Sequence, residues 1–105
     1  MTAQLVFDSE EHFGDLIASQ DYDLATSFVE SMIKNLFTEK QTVSIIEAYF
    51  EEEDTIYNFE IDKSNFISNF KEFLTIYERE EDYEGCALIA AAIKTLEDLA
   101  ESLFN

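Results

Sequence analysis

The sequence predicts an α+β domain, mainly α-helical, in which two helical hairpins flank a central β-hairpin. Three observations predict it. The 105 residues include no Pro and only two Gly, so the chain is poor in the residues that break helices and make turns. Apolar residues recur at helical spacing over four stretches, two on either side of the middle. Between residues 42 and 61 the period changes to two. At this length the chain is expected to form one domain, residues 1–105, and 47% hydrophobic residues suffice for a core.

"MTAQLVF" at the start reads as a short strand or an anchoring arm. In "DSEEHFGDLIAS", Asp8 or Ser9 caps a first helix, with Glu10 and Glu11 at its positive end and Phe13, Leu16 and Ile17 on one face. After a turn at 19–21, Tyr22, Ala25, Val29, Met32 and Leu36 follow at spacings of 3, 4, 3 and 4, which predicts a second helix to about Phe37, with Phe28 and Ile33 widening its stripe. Thr42 to Ile46 is nearly all β-branched, and in "TIYNFEI" Thr55, Tyr57, Phe59 and Ile61 alternate with Ile56, Asn58 and Glu60. That pattern, on both sides of "EEED", predicts the hairpin, and a helix through Val43, Ile46 and Phe50 is the competing reading. Ser64 is the expected cap of a third helix, whose face carries Phe66, Phe70, Phe73 and Tyr77. The fourth starts near Asp82, and its seam of Cys86, Ile89, Ile93, Leu96, Ala100 and Leu103 suits packing along another helix or along a second copy of the chain.

One motif occurs twice. A shift of 61 residues lays Asp21-Tyr22-Asp23 on Asp82-Tyr83-Glu84, Ala25 on Cys86, Phe28 on Ile89 and Met32 on Ile93. The first acid accepts from free N–H groups at a helix start, the second favours the helix dipole, and the Tyr ring covers the turn. The small residue three positions on lets the preceding helix approach. The motif is therefore expected to be a tight turn between antiparallel helices.

Residues 77–97, "YEREEDYEGCALIAAAIKTLE", resemble the UVR motif of nucleotide excision repair proteins and some protease-associated regulators, through Glu81, Asp82, Tyr83, Glu84, Cys86, Ala87, Ile89, Ile93 and Leu96. Ala90-Ala91 stands where that family has an Arg-Asp pair. The same letters resemble the turn of tetratricopeptide repeats, without their fixed period. Both resemblances imply a helical hairpin and a protein partner, and neither implies a chemistry.

Charge narrows the function further. Six Lys and Arg stand against 24 Asp and Glu, a net of -18, and residues 1–33 hold seven acids and no Lys or Arg. Such a surface repels phosphate backbones and anionic lipids, so nucleic acid and membranes are not expected as direct partners. A basic surface on another protein is. Size and charge also resemble small acidic inhibitors that viruses encode as DNA mimics, which need carboxylates in rows. The rows offered are Asp8, Glu11 and Asp15, then Glu51, Glu52, Glu53 and Asp54, then Glu78, Glu80 and Glu81 of the stretch running on to Glu84.

No catalytic set, metal site or cofactor is assigned. His12 is the single histidine, and its nucleophilic partner would be Cys86, which falls on a helix seam and reads better as a small core residue. "EEED" and "DYD" offer oxygen ligands for Ca²⁺ or Mg²⁺ but lack the spacing of a dedicated loop. A carboxylate-based enzyme or metal binder is the third reading, after a protein-binding regulator and a DNA mimic. A lone cysteine, no basic n-region and no long apolar run predict a reducing, cytoplasmic setting.

Overall fold

Residues 2–104 are described by a computed structural model, 103 and 104 by their backbone alone. The chain runs β1 (Ala3–Phe7), α1 (Glu10–Ala18), α2 (Tyr22–Lys34), β2 (Thr42–Phe50), β3 (Thr55–Asp62), one 3-10 turn (Lys63–Asn65), α3 (Phe66–Arg79) and α4 (Tyr83–Phe104). This is an α+β fold with a three-stranded sheet in the order β1-β2-β3.

The expected pair of helical hairpins about a two-stranded hairpin is corrected on two counts. The opening segment is a strand, parallel to β2, with Ala3 opposite Ile46 and Phe7 opposite Phe50. Parallel neighbours need a long crossover, and α1 and α2 supply it. Nor do α1 and α2 form a self-contained helical hairpin. Phe13, the buried residue of α1, packs its ring on the sheet, 4.8 Å from Phe7, 5.7 Å from Phe50 and 4.9 Å from Phe59. A nine-residue helix with so narrow an apolar face has little to lay along a neighbour. α2, with six buried residues, packs instead on β2 and α3. It also stops at Lys34, short of the expected Phe37.

β2 and β3 pair antiparallel about Glu51–Asp54, so the competing helix does not form. Their register shifts between Ser44 and Ile46, which marks a bulge at Ile45. The Ile45 side chain is buried, and its carbonyl accepts from the Ser31 hydroxyl of α2 at 2.6 Å. The bulge thus sends two consecutive isoleucines into the core and fixes α2 to the sheet. One sheet face contributes Leu5, Phe7, Ile46, Ala48, Phe50 and Phe59 to the core. On the other, Val6, Tyr49 and Ile56 form a cross-strand row, with Val6 and Ile56 exposed.

α3 begins one residue later than a Ser64 cap would start it, because a 3-10 turn precedes it and Asp62 caps that turn, accepting from the Ser64 N–H at 2.9 Å. α3 and α4 pack extensively. The α4 seam is occupied within the chain: Ile89 and Ile93 are buried, and Cys86 and Leu96 are partly buried against the core. Ala100, farther along the same seam, is exposed. Leu103, assigned to the same seam, lies outside the residues whose side chains are described.

Candidate functional site

The acids gather where strand ends and helix ends meet. Parallel pairing brings the end of β1 beside the end of β2, and the ladder runs on into the turn. Glu51 N–H donates to Phe7 O at 3.0 Å and Glu52 N–H to Asp8 O at 2.9 Å. The Glu53 carboxylate accepts from Glu10 N–H at 2.7 Å, which places its charge on the positive end of α1. Asp54 accepts from the Tyr49 hydroxyl at 2.6 Å, and that bond raises the Tyr49 pKa. Two of the four turn acids are therefore engaged in holding the turn. Glu51 and Glu52 remain exposed, Glu52 beside Asp8, and Glu11 is exposed in the first turn of α1. His12 faces Asp8 at 3.9 Å, and no Lys or Arg lies between residues 41 and 62.

α1 links this tip to a second acidic cluster. Asp15 is exposed along it, and at its far end the α1–α2 turn meets the α3–α4 turn, where Arg79 donates to Gln20 O at 2.8 Å. The two turns have the same hydrogen bonds at the offset of 61. Asp21 N–H donates to Leu16 O and Gln20 N–H to Ile17 O; Asp82 N–H donates to Tyr77 O and Glu81 N–H to Glu78 O. Gln20 and Glu81 both have left-handed backbone, at φ of 55° and 56°. Each is a Schellman helix end followed at once by an Asp cap, Asp21 on Leu24 N–H and Asp82 on Gly85 N–H.

The tyrosines do not share a fate. Tyr22 reaches across to the other copy and donates its hydroxyl to Asp82, while Tyr83 is 70% exposed. The bond to Asp82, with burial and nearby acids, pushes the Tyr22 pKa up to about 12. The same bond and the Gly85 N–H hold the Asp82 carboxyl below the usual range. Since Asp82's folded pKa lies below its unfolded value, the bond's contribution is present above about pH 4 and is lost as acid protonates the carboxylate. It is lost again in base, as pH rises through the phenol's raised value. Tyr22→Phe is therefore expected to move the Asp82 titration, read by carboxyl carbon NMR, back toward the ordinary range. Its stability deficit should be present at neutral pH and fade as pH falls through Asp82's folded pKa. An unchanged Asp82 titration would show that the bond carries no such weight.

Of the sequence-assigned acids here, Glu80 pairs with Arg79 at 3.2 Å, while Glu78 and Glu81 have no side-chain hydrogen bond or ion pair among the described residues. Glu10, Tyr22, Arg79 and Asp82 build the junctions rather than the rows; sequence places Glu10, Tyr22 and Asp82 at helix starts, and what it misses is Arg79 and the bonds these residues make to distant elements. Asp82 carried a signal, since the motif repeat marks it.

The chemistry available is limited. Cys86 is half-buried, and burial with Glu78 and Asp82 raises its pKa, so the thiol form is favoured. Among the described residues no three His, Cys, Asp or Glu side chains gather as a metal site, and no helix is long and apolar enough to cross a membrane. An apolar groove of about 240 Å³ lies between α1, α2 and α3, lined by Leu16, Leu24, Phe28, Phe73 and Ile76 and bordered by Glu72. Its walls hold neither His12 nor Cys86. No family model, curated protein or solved structure matches the chain.

Proposed function

We propose that the protein is a non-enzymatic binding module, a regulator or inhibitor, that engages a basic surface of another protein through its acidic tip. The junction of Glu51 and Glu52 with Asp8 and Glu11 carries this reading. Backbone bonds hold Glu51 and Glu52 against Phe7 and Asp8, Glu11 follows in the first turn of α1, and neither residues 1–33 nor residues 41–62 contain a Lys or Arg. Charges fixed in this way steer encounter and set orientation without reordering side chains. The free thiol of Cys86 accords with a reducing compartment.

A DNA mimic is the second reading, and one arrangement favours it: α1 carries Asp15 between the tip at its start and the paired turns, with Glu78 and Glu81, at its end. The longest dimension is 51 Å. Over that length a duplex carries about 30 phosphate charges, against a net 18 here.

The test is capture of partners on the immobilised chain, compared with the variant Glu11→Lys, Glu51→Lys, Glu52→Lys, whose carboxylates are exposed. A genuine partner is expected to lose roughly 10- to 100-fold in affinity to the variant, mostly in association rate, and to elute as salt rises. Binding indifferent to both overturns the reading. Competition by duplex DNA for the captured protein would favour the mimic.

A further inference from the structure

β3 ends the sheet, and among the described residues its outer edge meets no other backbone. Natural sheets blunt such an edge with Lys, Pro, a bulge, inward charges or a covering element. β3 has no Lys or Pro, the register shift is described on β2, and Thr55–Phe59 is an uncharged run of five. From Thr55 to Asn58 this run is also exposed on both faces, while Phe59 packs against the core. Ile56 projects to the outer face and is 62% exposed; Tyr57, opposite Ala48, projects to the inner face and is 56% exposed. β1, the other edge, is shorter, at five residues against eight.

We infer that the β3 edge accepts an extended, basic segment of a partner protein as a fourth strand. Added strands gain affinity from main-chain hydrogen bonds and selectivity from alternate side chains. Here the apolar positions of the incoming strand would continue the row of Val6, Tyr49 and Ile56 or cover Tyr57. Its cations would meet Glu51, Glu52 and Glu60, which flank the run. Charge decides between occupants. All six Lys and Arg lie outside the three strands, so a second copy would bring one cation-free sheet against another, while a basic strand is attracted. This inference rests on the acidic-module reading and goes further, by requiring backbone pairing.

Two peptides of equal charge separate the two. One is a blocked seven-residue peptide alternating lysine and valine. The other has the same sequence, N-methylated at every valine and at the two inner lysines, which removes donors from both of its edges. The expected result is at least tenfold tighter binding of the first, with slowed amide exchange across Thr55–Ile61, and a tenfold loss for Ile56→Lys, a change at an exposed position. Equal binding of both peptides overturns strand addition and leaves the acidic-module reading standing. No binding of either overturns both. Unchanged affinity of Ile56→Lys, or protection of the same amides in a self-associated protein without peptide, overturns the inference.

Discussion

Gly85→Ala is expected to destabilise the protein by about 1 kcal/mol, although it adds one methyl group to a helix. A Cβ at this position would lie 2.4 Å from two ring carbons of Tyr77 and 2.7 Å from an Asp82 carboxylate oxygen. None of these groups has an easy retreat. Tyr77 is only 4% exposed and packs edge-on to Tyr22 at 5.5 Å between ring centroids. Asp82 is held from one side by the Tyr22 hydroxyl and from the other by the Gly85 N–H. One methyl therefore displaces the ring, the cap and the bond that joins the paired turns. Overpacking of this kind costs roughly 1–3 kcal/mol, offset in part by alanine's better helix propensity, worth about 1 kcal/mol. Gly14 is the control. Nothing lies within 4 Å of its added Cβ in α1, so Gly14→Ala is expected to stabilise by about 0.5–1 kcal/mol. Urea unfolding of both variants checks the opposite signs, and a Gly85→Ala protein as stable as the parent would show that the Tyr77–Gly85 approach is loose.

These turns also mark how far the sequence could be read. Asp21 and Asp82 were legible as caps because an N-cap is a local device, set by one side chain and the N–H three residues on. The bond from Tyr22 to Asp82 was not, because it depends on α2 packing against α3, which neither copy of the motif encodes. Identical letters at Tyr83 give an exposed ring for the same reason. β1 was legible only as one of two options. Five residues carry little periodicity, and the partner of Ala3 is Ile46, far along the chain. The acids show the same division. Glu11 and Asp15 could be placed on one side of α1 from their spacing of 4, whereas Asp8, expected on the same helix, precedes the Ser9 cap and lies outside it. Their junction with Glu51 and Glu52 follows from the parallel β1–β2 register and has no local signature.

Raising NaCl from about 0.05 M to 1 M is expected to raise the melting temperature by about 5 °C or more. Screening acts on whichever sign of interaction dominates, and the balance here is lopsided. The chain holds 24 acids against six Lys and Arg. The ion pairs among the described residues are Arg79–Glu80, Lys94–Asp98 and His12–Asp8, all at exposed side chains. Exposed pairs of this kind contribute about 0–1 kcal/mol each, and the histidine counts only when protonated, so salt has little attraction to remove. Repulsion among the remaining acids extends over about 10 Å at 0.1 M salt and about 3 Å at 1 M. Acids at the tip and at the paired turns, which repel within and between clusters at low salt, are decoupled at high salt. A gain of about 1 kcal/mol corresponds to roughly 4–8 °C for a domain of this size. Binding should respond with the opposite sign, since the same screening removes the attraction between the tip and a basic partner. A melting temperature that falls with NaCl would mean that the few cations outweigh the acids in the folded state. Calorimetry and binding measured in the same salt series would expose that reversal directly. Glu51→Lys with Glu52→Lys should flatten both slopes together, because the carboxylates that destabilise the free protein are the ones a basic partner would neutralise.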